Sequence, residues 1–151
     1  MVCFDSEHHV SGVRLEHYQN DDLHLFEVRW HGQVTEHLRR SYRDQNKTTD
    51  FAACAIALLL VRELTEYQAI EQSAVGTTID YYLIPNDQHD DTLIFNHSAY
   101  LEVSGIRHET STNTVAGRIK EKIQRLNTSE DLPVLIAVVE FSRPWSKMVT
   151  V

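Results

Sequence analysis

The chain has 151 residues, 42% hydrophobic and 24% charged, and its formal net charge at pH 7 is −8. A chain of this length and composition buries a sizeable core, which excludes disorder throughout and predicts a single globular domain over residues 1–151. The longest apolar run, Phe51 to Val61, is much shorter than the ~18 residues of a membrane span, and the N-terminus lacks a signal peptide's basic start, so we expect a cytoplasmic protein.

The N-terminal region predicts a β-hairpin. Apolar and polar residues alternate from Gly12 to Tyr18, residues 19–22 are typical of a turn, and Leu23 to Trp30 returns as a second strand. The apolar phase of this second strand slips between Leu25 and Phe26. Such a slip indicates a bulge or a strand that is covered on both faces.

A long apolar helix is predicted next, after a polar stretch over residues 33–49 that is typical of a loop or a short helix. The helix begins at Phe51, with Thr49 or Asp50 as its N-cap, and its pattern continues through Leu64 to Ile70. Its first half is apolar all round, so we expect it to be buried on most sides as the central packing element. The polar stretch carries a basic cluster, Arg39, Arg40, Arg43 and Lys47.

The second half of the chain predicts strands, an amphipathic helix and a further strand. Alternation predicts strands over residues 77–84, 93–95 and 99–106, whereas residues 113–127 repeat apolar positions at helical spacing. The run Val134 to Val139 is apolar on both faces, which is typical of a central strand. The tail from Trp145 to Val151 either folds back as an edge strand or docks onto another subunit. The order of elements predicts an α/β or α+β domain with a mixed central sheet.

Several kinds of chemistry are disfavoured by the residues present. The nine histidines are scattered, without the helical i, i+4 pair of a zinc site, and Cys3 and Cys54 form neither a metal motif nor a disulfide framework. The sequence contains no glycine-rich phosphate loop and no nucleophile elbow. We therefore expect neither a zinc protein nor a nucleophilic hydrolase.

The placement of two acidic residues indicates a metal site. Asp80 lies on one predicted strand and Glu102 on the next, so that the two carboxylates share one side of the sheet if these strands pair. Paired oxygens of this kind suit Mg²⁺, which polarises phosphoryl groups and generates hydroxide. Glu71 is the expected third ligand, with Glu63 and Glu66 as alternatives on the same predicted helix. The competing interpretation is that both acids are exposed residues on a solvated face.

Three segments of the sequence resemble an uncharacterised bacterial family. These segments are Gly76-Thr-Thr-Ile-Asp-Tyr-Tyr-Leu83, Tyr100-Leu-Glu-Val-Ser-Gly-Ile106 and Val138-Val-Glu-Phe-Ser142, and the resemblance covers roughly residues 50–145. The family brings no known activity with it.

The order of elements is more distantly similar to the restriction-endonuclease-like, or PD-(D/E)xK, fold. That resemblance implies that Asp80 and Glu102 bind Mg²⁺ and that a lysine positions water. Ser104 stands where the motif lysine belongs, and the Pro-Asp dipeptide is absent. Lys122, on the amphipathic helix, is the candidate replacement because its long side chain can reach towards the site.

Two functions remain open. The first is a metal-dependent phosphodiester hydrolase with Asp80, Glu102 and Lys122 as catalytic residues, which would bind nucleic acid through a local basic patch. The second is a non-catalytic protein-interaction module of a bacterial defence or toxin-related assembly, acting with a protein partner or as a homodimer. The acidic net charge favours the second function, because proteins that bind phosphate backbones usually have a basic surface.

Overall fold

The chain folds around one seven-stranded mixed sheet with helices on both faces, an α+β architecture. The computed structural model describes residues 1–74, 77–87, 97–126 and 131–151. The strand order is β2-β1-β7-β6-β5-β4-β3. The strands are β1 Val13–Gln19, β2 Asp22–Val28, β3 Tyr67–Gln72, β4 Tyr81–Pro85, β5 Ala99–Ile106, β6 Val134–Glu140 and β7 Trp145–Thr150. The helices are α1 Val2–Ser6, α2 Glu36–Ser41, α3 Gln45–Leu64 and α4 Val115–Arg125.

The predicted hairpin is confirmed, without the predicted irregularity. Strands β1 and β2 pair in antiparallel register with no interruption, Leu15 facing Phe26 and Glu16 facing Leu25. The slip in apolar phase arises because Leu23 and Leu25 are apolar residues exposed on the outer face, whereas Phe26 packs against the core.

The C-terminal tail folds back onto the sheet. It forms β7, which lies between β1 and β6 and so becomes an interior strand, not the edge strand that the sequence predicted. Strand β6 is buried along its whole length, as its doubly apolar sequence indicates. The other half of the sheet is built on β5, which pairs in parallel with β6 and antiparallel with β4.

Helix α3 begins earlier and ends earlier than its sequence predicts. Asp44 is the N-cap, since its side chain accepts a hydrogen bond from the Lys47 N–H at 3.1 Å, and Asp50 therefore lies inside the helix. The helix ends at Leu64 because Thr65 turns to extended geometry and its hydroxyl bonds the Val61 carbonyl at 2.6 Å. The segment that was predicted to extend the helix to Ile70 forms the edge strand β3 instead, paired with β4.

The prediction that the first half of the apolar helix is buried on most sides is also wrong. The helix packs against the sheet through Ala53, Ile56, Ala57, Leu60 and Val61, but Leu59 is 62% exposed. Leu59 lines an open apolar groove of about 470 Å³ with β1 and β2. Within the described ranges, none of the helices is long and apolar enough to cross a membrane.

Helix α4 covers the opposite face of the sheet. Thr114 caps it through a hydrogen bond from the Gly117 N–H at 3.0 Å, and Val115 and Ile119 bury its apolar side against β6. Residues of β5 therefore alternate between two environments: Leu101 and Val103 face α3, whereas Tyr100 and Ile106 belong to the cluster beneath α4. Three predictions fall partly or wholly on residues outside the described ranges: the extended segment 93–95, Gly76 in the first family segment, and the end of the helix at Asn127.

Candidate active site

The site lies where strand β5 continues beyond its neighbour β4. The Asp80 N–H donates to the Leu101 carbonyl at 3.0 Å, and Tyr81 facing Leu101 is the last paired position of the two strands. From Val103 onward, none of the described strands pairs with the edge of β5 that faces away from β6. This open edge lies between the N-terminal halves of α3 and α4, which come from opposite faces of the sheet.

Two carboxylates, those of Asp80 and Asp50, lie where a further strand would pair with β5. Asp80 Oδ2 accepts a hydrogen bond from the Val103 N–H at 2.7 Å. Two residues along, the backbone N–H of Gly105 interacts with the Asp50 carboxylate and lowers its pKa. Alternate residues of a strand point their N–H groups to the same side. Asp80 therefore accepts an N–H group from the open edge of β5, and the Asp50 carboxylate interacts with the next N–H group on the same side, that of Gly105.

Gly105 allows α3 to approach β5 closely enough to place Asp50. A Cβ atom at this position would lie 2.7 Å from both Cγ2 and the backbone oxygen of Thr49. Only glycine fits at such a contact without displacement of the helix. A glycine on a buried strand is a recognised sign of close backbone approach, so Gly105 was the sequence signal that could have revealed the role of Asp50.

Glu102 carries the most perturbed carboxylate of this cluster. Glu102 is only 5% exposed, and burial raises the pKa of its carboxyl group to about 7. The hydrogen bond with Lys122 lowers this pKa, whereas the nearby charge of Asp80 raises it. Lys122 on α4 forms a hydrogen-bonded ion pair with Glu102 Oε1. The site thus holds two carboxylates close enough to repel each other and one ammonium group that partly offsets that repulsion.

Asp50 is coupled to the same groups. Desolvation raises its pKa, the charges of Lys122 and Arg118 lower it, and the charge of Asp80 raises it. The sequence predicts Asp50 only as a helix cap and does not indicate its place beside the site.

Cys54 and Tyr81 form the wall of the site below Asp50. Burial raises the pKa of the Cys54 thiol to about 11, with the charge of Asp80 acting in the same direction and the neighbouring Tyr81 hydroxyl acting against it. Burial also raises the pKa of Tyr81 to about 12. Both groups are protonated near neutral pH, so neither serves as a thiolate nucleophile or a base.

The structure brings together three of the four residues that the sequence selected. Asp80, Glu102 and Lys122 converge, whereas Glu71 is exposed on β3 at the edge of the sheet. Across the ranges that the structure describes, no three His, Cys, Asp or Glu side chains are grouped so as to hold a metal ion. The donor set fits Mg²⁺ in a different way, because this ion often binds one or two carboxylates together with water and substrate phosphates.

Comparison with protein-family models, with curated proteins and with solved structures found no match for this chain.

Proposed function

We propose that the protein is a divergent restriction-endonuclease-like hydrolase that cleaves phosphodiester bonds with a divalent metal ion. The observation that carries this proposal is the convergence of three side chains at the open edge of β5: Asp80 from the segment before β4, Glu102 from β5 and Lys122 from α4. Glu102 is a buried acid whose pKa is raised, and such perturbed groups cluster at functional sites.

In this proposal Asp80 and Glu102 would hold Mg²⁺, which polarises a phosphoryl oxygen and lowers the pKa of bound water. Glu102 must be ionised to bind a cation, and its pKa of about 7 makes cation binding compete with a proton near neutral pH. Lys122 would place positive charge where negative charge develops on the phosphoryl group. Its position on α4 supports the idea that it replaces the lysine missing at Ser104.

The test is cleavage of single-stranded DNA, duplex DNA and RNA by the purified protein in the presence of Mg²⁺ or Mn²⁺. Asp80→Asn, Glu102→Gln and Lys122→Met are each expected to lower the rate by about 100-fold or more, as loss of an electrostatic catalytic group does. Asp21→Asn is the matched control, because Asp21 is 97% exposed and lies on the hairpin. Cleavage that survives in the Asp80 and Glu102 variants would overturn the assignment of the site.

The second candidate function is a non-catalytic interaction module on the same scaffold. It is favoured by the ion pair itself, since Glu102 already has a partner in Lys122, and by the lack of a three-ligand group within the described ranges. Absence of cleavage on every substrate, together with a melting temperature that divalent metals leave unchanged, would select this second function.

A further inference from the structure

A polar cleft lies directly beside the candidate active site. It has a volume of about 510 Å³ and opens between the first turns of α3 and the start of α4, with the end of β5 as its floor. Its lining is Gln45, Asn46, Thr49, Asp50, Gly105, Ile106, Arg107, His108, Asn113 and Arg118. Asp50 belongs to both the cleft and the site, because it lines the cleft and is coupled electrostatically to Asp80 and Lys122. A molecule in the cleft would therefore extend towards Asp80 and Glu102.

The two arginines of the cleft differ in how far their charge is neutralised. Arg107 is held by Glu7, with Nε 2.6 Å from Oε1, and by a further hydrogen bond to Ser6. Arg118 donates instead to a neutral group, the Asn113 side-chain oxygen, at 2.7 Å. Arg118 also lies 3.9 Å from Glu121, which is paired more closely with Arg125 at 2.8 Å, and its charge acts on Asp50 in the same cleft.

Arg118 is therefore a fixed cation with donor capacity to spare. Its guanidinium carries five N–H donors in a planar fork that matches phosphate oxygens. The side-chain amides of Gln45 and Asn46 add neutral hydrogen-bonding groups to the same cleft, and His108 lines it with its Nε2 at 3.1 Å from Glu7 Oε2. This combination of one oriented arginine with amides suits a phosphate that is attached to a sugar and base, because amides can bond either.

We propose that this cleft binds one nucleotide of a single nucleic-acid strand, with Arg118 as the ligand of the phosphate next to the bond that is cleaved. The inference rests on the proposed hydrolase function and names its substrate as a single strand. The cleft is of small-ligand size, within the ~300–1,000 Å³ typical of such pockets, and is closed by a helix on each side. In a duplex the phosphate and sugar are on the outside but the base lies inside the stack, so a nucleotide whose base also enters the cleft has to be unpaired and unstacked.

An acidic chain is expected to bind polyanions weakly overall, so the effect of one arginine on the binding affinity can be measured. The net charge of −8 repels nucleic acid at long range, whereas the phosphate contact acts locally. Loss of one phosphate contact lowers the salt dependence of binding to a single strand by about 0.7 in the slope of log K against log salt.

The experiment measures binding of a short fluorescent single-stranded oligonucleotide by anisotropy, in EDTA so that cleavage cannot occur. Arg118→Gln is expected to weaken binding by about tenfold and to lower the salt slope by about 0.7. Arg40→Gln is the control, since Arg40 is 78% exposed, paired with Glu36 on α2 and not part of the lining of the cleft, and it is expected to bind within about twofold of the wild type. A melting curve confirms that each variant is folded.

Each other outcome overturns the inference. Equal binding by the wild type and Arg118→Gln, or no binding by the wild type, would remove the cleft as a strand site. Tighter binding of the matching duplex would exclude the single-strand substrate, and equally tight binding of a mononucleotide would assign the cleft to free nucleotides. Because the assay contains no metal, its result is independent of cleavage: loss of cleavage in the Asp80 variant with Arg118-independent binding would retain the hydrolase and reject only the cleft.

Discussion

Asp80 Oδ2 accepts a 2.7 Å hydrogen bond from the backbone N–H of Val103, at the first position where β5 has lost β4 as its neighbour. The carboxylate thus replaces a strand: it accepts an N–H group that a continued β4 would have bonded. A buried donor without an acceptor costs about 1–3 kcal/mol. The same side chain faces Glu102, so Asp80 combines a structural role with the chemistry proposed for the site.

These two roles of Asp80 can be separated by two substitutions. Asp80→Asn keeps a side-chain oxygen that can accept from Val103, so its free energy of unfolding in EDTA is expected to match or exceed that of the wild type. Asp80→Ala leaves the N–H without this acceptor and is expected to lose about 1–3 kcal/mol. Urea denaturation of the three proteins measures both values. Equal losses in the two variants would show that the charge, not the hydrogen bond, matters for stability.

Divalent metal is expected to stabilise the wild type against thermal unfolding. A ligand that binds only the folded state adds RT ln(1 + [L]/Kd), about 2.7 kcal/mol at a hundredfold excess over Kd. Asp80→Asn and Glu102→Gln remove one carboxylate each, and with it the mutual repulsion. Both variants are expected to melt at least as high as the wild type in EDTA and to gain little from Mg²⁺ or Mn²⁺.

The control for the metal effect is Asp21→Asn, which changes a fully solvated carboxylate and should retain the metal-dependent rise in melting temperature. A wild type whose melting temperature is the same in EDTA and in millimolar Mg²⁺ and Mn²⁺ would contradict a metal site at Asp80 and Glu102.

Glu102 is expected to make the metal-free protein less stable as the pH rises. Burial raises its folded-state pKa to about 7 from an ordinary value of 4.5. Between these values the folded state holds a proton that the unfolded state has released, so the free energy of unfolding falls with increasing pH. The total change is on the order of 3 kcal/mol. Glu102→Gln removes this titration, so the stability of the variant relative to the wild type is expected to rise from pH 4.5 to pH 8.

The difference between variants is the informative quantity, because buried His17 acts in the opposite direction. Desolvation lowers the pKa of His17, and the folded state is therefore destabilised at acidic pH, where the unfolded histidine binds a proton. Lys122→Met provides a second check: Lys122 lowers the pKa of Glu102, so its removal should shift the loss of stability to higher pH. A Glu102→Gln difference that stays constant across this range would contradict the raised pKa.

The sequence predicted the elements whose pattern is local. Three patterns correspond to the observed elements: the alternation in Ala99–Ile106, the doubly apolar run Val134–Val139 and the amphipathic stripe of α4. They could be recognised because burial on one face or on two faces determines the spacing of apolar residues along the sequence. The N-terminal end of α3 was missed because its first turns are polar. Thr48 and Thr49 lie there, and their hydroxyls bond the carbonyls of Asp44 and Gln45 at 2.7 Å.

The site was only partly predictable for a related reason. Asp80 and Glu102 could be matched because each lies on or beside a strand that pairs with the other. The position of Glu71 could not be predicted, because its assignment to the site assumed that the helix continues through it. The helix ends before Glu71, and residues 65–72 turn into β3 to pair with β4, which is a non-local interaction. Asp50 approaches the site through the contact between Gly105 and Thr49, which depends on how α3 crosses β5.

Leu59 and Leu60 are adjacent on α3, and the structure predicts opposite outcomes for them. Leu60 is 4% exposed within the core cluster, whereas Leu59 is 62% exposed at the rim of the apolar groove. Leu60→Ala is expected to cost about 2–5 kcal/mol, as buried leucine truncations do. Leu59→Ala is expected to cost less than about 0.5 kcal/mol, because it removes a side chain that is mostly in water already. Urea denaturation at two protein concentrations measures both values. A loss at Leu59 as large as that at Leu60, and dependent on concentration, would mean that a second chain covers the groove in solution.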